Sequence, residues 1–218
     1  MIKRVVKENY KYALLFIFFI IVFYVFKNSQ ILSDFVVKID NSVINNINKV
    51  ISNNNTFFYK LLTNNIGVYL PIILLILMLI FIKNKYYFIT QLTSYLTAGG
   101  ISYITKLMYA RPRPEIALID IPTSFSFPSG HTITSIVFYM TFCFLLTFNM
   151  KKKKEKDKKF AILMFTSIIV LLICFSRIYL GVHYFSDVIG GLMLSIPLEI
   201  MIINTIKILM KEKLKWEV

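Results

Sequence analysis

The feature that most constrains this chain is its series of long apolar runs. "YALLFIFFIIVFYVFK" (12–27) and "IGVYLPIILLILMLIFI" (66–82) are nearly free of charge. Crossing a bilayer as an α-helix takes roughly 17–25 such residues. Further runs fall at about 86–108, 131–148, 160–180 and 187–210. The third is the weakest, with Thr, Ser and Gly99-Gly100 inside it. The chain is 57% hydrophobic and its mean hydropathy is +0.67, which a water-soluble core does not explain. No series of short alternating segments marks a membrane β-barrel. The expectation is an all-α, polytopic membrane bundle of six transmembrane helices, forming one domain over residues 1–218. The basic start, "MIKRVVKENYK", has no small-residue cleavage site after the apolar run, so the first span reads as a retained helix.

Charge orients this bundle. With the N-terminus cytoplasmic and six spans, the cytoplasmic segments hold 17 of the 25 basic residues, seven of them in the lysine run 151–159. That asymmetry is the positive-inside pattern, and it puts both termini in the cytoplasm. The net charge of +14 is then topological rather than a sign of nucleic-acid binding. The lysine run would meet anionic lipid at the inner leaflet. Asn, Ile and Lys usage points to an AT-rich bacterial genome, hence a bacterial plasma membrane. Cys143 and Cys174 both lie inside apolar runs and read as buried thiols. Residues 28–65 are polar and Asn-rich, yet Ile31, Phe35, Val36, Val43, Ile44 and Ile47 recur at helical spacing. An amphipathic helix at the interface and a solvated loop both fit.

The same topology brings three short polar pieces to the extracytoplasmic side. They are "KLMYARPRP" with Lys106, Arg113 and Pro114, "PSGH" at 128–131, and "SRIYLGVHYFSD" with Ser176, Arg177, His183 and Asp187. Arginine forks and a lysine point charge suit the oxygens of a tetrahedral anion. Ser129 and Gly130 would sit at the N-terminus of the fourth span, where free N–H groups favour anions. His183 and Asp187 are spaced i, i+4, so on one helix face the carboxylate would orient the imidazole. His183 is then a candidate nucleophile, and His131 a candidate general acid toward a leaving oxygen. Each piece alone has a structural explanation: an interfacial anchor, an ordinary helix start, an ion pair. Their coincidence on one side of one membrane is what points to a site, since ionisable groups at that depth are costly.

The ordered set Lys-x6-Arg-Pro, Pro-Ser-Gly-His, Ser-Arg-x5-His-x3-Asp resembles the type 2 phosphatidic acid phosphatase (PAP2) superfamily of membrane lipid phosphatases, without a substitution in any motif. The resemblance implies that Lys106, Arg113, Ser129, Gly130 and Arg177 bind the phosphate. It implies that His183 forms a phosphohistidine, that Asp187 orients it, and that His131 protonates the leaving lipid oxygen. It also implies no metal and no other cofactor; the motif region has no cluster of carboxylates of the kind that holds Mg²⁺. The implied partners are the bilayer and a lipid phosphate, with no protein partner required.

Candidate lipids implied by the family are phosphatidylglycerophosphate, phosphatidic acid, diacylglycerol diphosphate and undecaprenyl diphosphate. A bacterial undecaprenyl diphosphatase branch often has Asp where this chain has Gly130, so the motifs look closer to the phosphatidylglycerophosphatase-B-like branch. Arg111 would either touch a second phosphate or anchor at the interface, while Glu115 and Asp120 would lie on the rim. Two other functions stay open on sequence alone. One is a lipid phosphotransferase using the same intermediate. The other is a phosphate-binding transporter without chemistry, against which the absence of inverted repeats counts.

Overall fold

The computed structural model describes residues 1–148, 150 and 155–213. Among the described residues the chain is helical with no strand: α1 (Ile2–Asn28), α2 (Gln30–Asn48), α3 (Asn53–Leu61), a π-helical stretch (Leu62–Tyr69), α4 (Leu70–Phe81), α5 (Lys85–Tyr109), α6 (Gly130–Thr147), α7 (Lys156–Tyr179) and α8 (Phe185–Lys213). Five helical stretches among the described residues are long and apolar enough to cross a membrane: Ile2–Asn28, Asn53–Phe81, Gly130–Thr147, Lys156–Tyr179 and Phe185–Lys211. The protein is a multi-pass membrane protein. Phe18, Ile21, Phe165 and Leu171 lie on outer faces, as lipid-facing side chains do.

The third expected span is α5. It is as long as its neighbours at 25 residues, but it is not among the five apolar stretches. Its inner face carries Thr90, Gln91, Ser94, Ser102, Thr105 and Lys106, all buried against the bundle rather than turned to lipid. Gln91 Nε2 donates to the Phe138 carbonyl of α6 at 2.9 Å, which ties the polar face of α5 to α6.

The polar segment 28–65 is not a loop. Its first part is α2. Its second part, from Asn53, is the beginning of the second span, which runs unbroken to Phe81. The Ser52 side chain caps that rod by accepting from Asn55 N at 3.3 Å. Pro71 sits inside the rod, where it removes an N–H from the ladder. The π-register just before it, in which Leu70 N bonds Asn65 O, accommodates the interruption. Of the lysine run 151–159, residues 151–154 lie outside the described residues.

The helices alternate in direction. Asn9 near the start of α1 donates to Thr205 near the end of α8 at 3.0 Å, and Tyr109 at the end of α5 donates to the Ile20 carbonyl of α1 at 2.6 Å. The C-terminal ends of α1, α5 and α7 therefore meet the N-terminal ends of α6 and α8. A core of Ile136, Phe138, Ile173, Leu180 and Val182 packs beneath that end, and α2 lies across it. Every motif residue singled out in the sequence is there.

Candidate active site

Four stretches frame the site, and α7 and α8 add Arg177 and Asp187. The last turn of α5 presents Lys106. The segment 110–129 presents Arg111 and Arg113. Ser129 caps α6, accepting from Thr132 N at 3.4 Å, and Gly130 and His131 open that helix. The short connection from α7 to α8 carries His183, and its turn is made at Gly181, with φ +68. That left-handed backbone is open to glycine at no steric penalty. It aims His183 back at the helix it has just left, with His183 N bonding Arg177 O at 3.3 Å.

The N-terminus of α8 carries one half of a capping box, supplied by a catalytic candidate. Asp187 stands three residues after Tyr184 and accepts from Tyr184 N through Oδ2 at 2.9 Å. The same oxygen lies 3.3 Å from His183 Nδ1. The other oxygen, Oδ1, accepts from Arg111 Nη1 at 2.7 Å. Ser129 N donates to the Asp187 carbonyl at 3.0 Å, which ties the start of α6 to the start of α8.

On the far side of the imidazole, Arg113 Nη1 lies 3.2 Å from His183 Nε2. An ionised carboxylate only accepts and a guanidinium only donates. Both partners therefore assign one tautomer: the proton on Nδ1, the lone pair on Nε2. His183 is 2% exposed, and burial drives its pKa down to about 4. Asp187 opposes that shift, while Arg113 and Arg177 add to it. The imidazole is neutral at pH 7, and its Nε2 lone pair can act as a base or nucleophile once Arg113 turns from it to a phosphate.

The cations around it are held by neutral groups. Lys106 Nζ donates to the carbonyls of Phe125 and Ser126, the latter at 3.3 Å. Arg113 donates to Ser124 O at 2.8 Å, to Val182 O at 2.7 Å and to Phe125 O at 3.3 Å. Burial lowers its pKa, with Asp187 opposing. Arg177, 2% exposed, donates from Nη1 to Thr63 Oγ1 at 2.7 Å, and its Nε has no hydrogen-bond partner among the described residues. The ion pairs at this site among the described residues are Arg111–Asp40, Arg111–Asp187 and His183–Asp187. Lys106, Arg113 and Arg177 thus form a positive cluster with no carboxylate in contact with it; Asp187 acts on Lys106 and Arg113 only from a distance. The His131 ring lies within electrostatic reach of Arg177, His183, Arg113 and Lys106, and it packs beside Gly67, where an added Cβ would stand 3.3 Å from His131 Cδ2.

The structure thus brings Lys106, Arg113, Ser129, Gly130, His131, Arg177, His183 and Asp187 to one end of the bundle. Glu115 and Asp120 stay exposed. Arg111 bridges Asp40 and Asp187 and stacks on the Tyr184 ring at 4.1 Å. Asp40, Thr63 and Gly67 are site residues that the motifs do not contain.

A model of the PAP2 superfamily matches residues 87–210, more than half of the chain. The chain belongs to the PAP2 superfamily. Within this superfamily it is 33% identical, over 98 residues, to phosphatidylglycerophosphatase B of Bacillus subtilis (strain 168). That match takes in 45% of this chain and 47% of the relative, so the chain spans about half the length of the curated relative it matches. Among solved PAP2 structures, the transmembrane PAP2-type phosphatidylglycerolphosphate phosphatase from Bacillus subtilis superposes with a TM-score of 0.74. It covers 91% of this chain and 96% of its own at 22% identity, a likeness of fold. Aquifex aeolicus LpxE superposes with a TM-score of 0.53 over 73% of this chain and 92% of its own, at 26% identity.

Proposed function

We propose that this PAP2 protein is a membrane lipid phosphatase acting through a phosphohistidine on His183. The observation that carries this reading is the cluster of Lys106, Arg113 and Arg177, with no carboxylate in contact and with Arg113 beside the lone-pair nitrogen of His183. Lys106 and Arg177 are buried and Arg113 is half-buried; cations so placed with no carboxylate in contact are costly, and a phosphate dianion would satisfy all three at once. With Arg113 already 3.2 Å from Nε2, a phosphate held by its fork would place phosphorus against that nitrogen.

In the first displacement Nε2 attacks phosphorus, forming an N–P bond while the bond to the lipid oxygen breaks. His131 gives its proton to that oxygen. In the second, water attacks the phosphohistidine, passes a proton to His131, and inorganic phosphate leaves with His183 restored. The three cations and the first N–H groups of α6 stabilise the charge on the equatorial oxygens. Asp187 stabilises the imidazolium form through which both steps pass. The reading takes no metal.

The substrate is a phosphomonoester or diphosphate lipid, with phosphatidylglycerophosphate first among the candidates on the strength of the relative's name. An apolar cleft of about 520 Å³, lined by Phe23, Phe26, Phe35, Phe127, Phe185 and Met193, adjoins the Arg111 end of the site and suits an amphiphile. On this reading α5 counts as a sixth span in a bacterial plasma membrane. The termini are cytoplasmic and the site faces outward, as the distribution of basic residues favours.

The test is phosphate release by purified protein in detergent with EDTA present. Phosphatidylglycerophosphate, phosphatidic acid and undecaprenyl diphosphate are compared side by side, with His183→Ala as control. Release by the wild type alone supports the reading. Release that needs added Mg²⁺ overturns the metal-free mechanism. No release from any of the three by folded protein moves the reading to phosphotransfer or to a binding role.

A further inference from the structure

α2 lies outside the region matched by the family model, yet it puts one carboxylate into the site. Asp40 is 1% exposed. Its Oδ1 accepts from Ser186 N at 2.9 Å, and its Oδ2 accepts from Ser186 Oγ at 2.6 Å and from Arg111 Nη2 at 2.7 Å. Two carboxylates therefore hold the start of α8, Asp187 from within the helix and Asp40 from across the bundle, both favoured by the helix dipole. One guanidinium joins them: Arg111 gives Nη2 to Asp40 and Nη1 to Asp187 Oδ1.

This division has a consequence for His183. Arg–carboxylate pairs tend toward the two-pronged form, in which both guanidinium nitrogens engage both carboxylate oxygens. With Nη2 free, Arg111 would be drawn to Asp187 Oδ2, the oxygen that faces His183 Nδ1 at 3.3 Å. Asp40 occupies Nη2 and so keeps Oδ2 for the imidazole. We propose that Asp40 is a positioning residue for the proposed phosphatase reaction: by holding one prong of Arg111, it reserves one oxygen of Asp187 for His183. The other charged groups around His183 are Arg113 from the 110–129 segment and Arg177 from α7, with the titratable His131 from α6. Asp40 touches none of them, so its influence runs through Arg111 and through Ser186, whose Oγ also accepts from Arg111 Nη1 at 2.7 Å.

The inference rests on the phosphatase reading, and its test starts from an active wild type; an inactive wild type tells against that reading instead. Asp40→Asn keeps the shape and an acceptor for Ser186 but loses the charge that holds Arg111. Asp34→Asn, an exposed carboxamide exchange on the same helix, serves as control. In steady-state phosphate release, Asp40→Asn should lose at least tenfold in kcat. Its KM and its inhibition by inorganic phosphate should stay within twofold, because the cation cluster is untouched. Asp40→Glu, which restores the charge one methylene further out, should fall between Asn and wild type. Asp34→Asn should match wild type. A kcat within twofold of wild type for folded Asp40→Asn, or a loss confined to KM, overturns the proposal. Should Asp40→Asn not fold, the same split is read on Asp40→Glu, where wild-type kcat overturns it. Failure of both to fold assigns Asp40 to folding alone and overturns it too.

Discussion

His183 Nε2 stands 3.2 Å from Arg113 Nη1, a base facing a group that only donates. The contact keeps the nitrogen unprotonated, and burial reinforces it by lowering the His183 pKa from 6.5 to about 4. A base must be deprotonated to attack, so the acid limb of kcat/KM follows its pKa in the free enzyme. The depressed value moves that limb downward. Turnover per folded molecule should hold its plateau as pH falls through 6.5 and decline only below about pH 5. A pH profile of kcat/KM checks this. An acid limb centred near 6.5 would mean an imidazole with ordinary solvation and would contradict the buried geometry.

Asp187 is asked to do two things, to cap α8 through Tyr184 N and to orient His183. Asp187→Asn keeps the shape and can still accept from Tyr184 N, but it no longer stabilises an imidazolium. The expected loss is in kcat, on the order of 10²–10⁴-fold, with KM nearly unchanged. A variant that loses affinity at constant kcat would remove Asp187 from the reaction and leave it as a helix cap.

Much of this site is legible in the amino-acid sequence, because its residues are local to three helix ends. Lys106, Arg113, His131, Arg177, His183 and Asp187 each sit within a short motif, and the charge distribution puts the motifs on one side. What the sequence does not display is the contribution of residues far away along the chain. Arg111 meets Asp40 across 71 positions and Arg177 meets Thr63 across 114. A hint does exist for Asp40. It falls four residues after Val36, three before Val43 and seven before Ile47, so it stands on the apolar stripe of α2, where a carboxylate needs a buried partner. Nothing comparable marks Thr63. The polarity of Asn64 and Asn65 suggests that the second span starts after them, whereas the Ser52 cap begins the helix some thirteen residues earlier.

Arg177 is the most deeply placed of the three cations, with Nε unpaired. If that edge binds the substrate phosphate, Arg177→Gln removes at least one charge-assisted hydrogen bond, each worth about 1.5–3 kcal/mol. A fall of roughly tenfold to a few hundredfold in kcat/KM follows from that range. Thr63→Val, which deletes only the hydroxyl that accepts from Nη1, should have a smaller effect in the same direction. Steady-state kinetics on both variants decide it. Equal losses would mean that Thr63 is doing more than aiming the guanidinium, and wild-type behaviour of Arg177→Gln would take Arg177 out of the phosphate site.

Gly67 tests His131 without touching it. The glycine lies in the π-helical stretch, and a methyl there would stand 3.3 Å from His131 Cδ2, 3.6 Å from Ile173 Cγ2 and 3.9 Å from Thr63 Oγ1. The first distance is tighter than ordinary van der Waals contact, so the ring must give by a few tenths of an ångström. A general acid displaced by that much is misaimed toward its leaving oxygen. Gly67→Ala should therefore lower kcat by about tenfold, and the loss should shrink for substrates whose leaving oxygen needs less protonation. Comparing an aryl phosphate, with its acidic leaving group, against an alkyl lipid phosphate measures that difference directly. An equal loss on both substrates would mean that the methyl disturbs the phosphate cluster through Thr63 rather than the acid through His131.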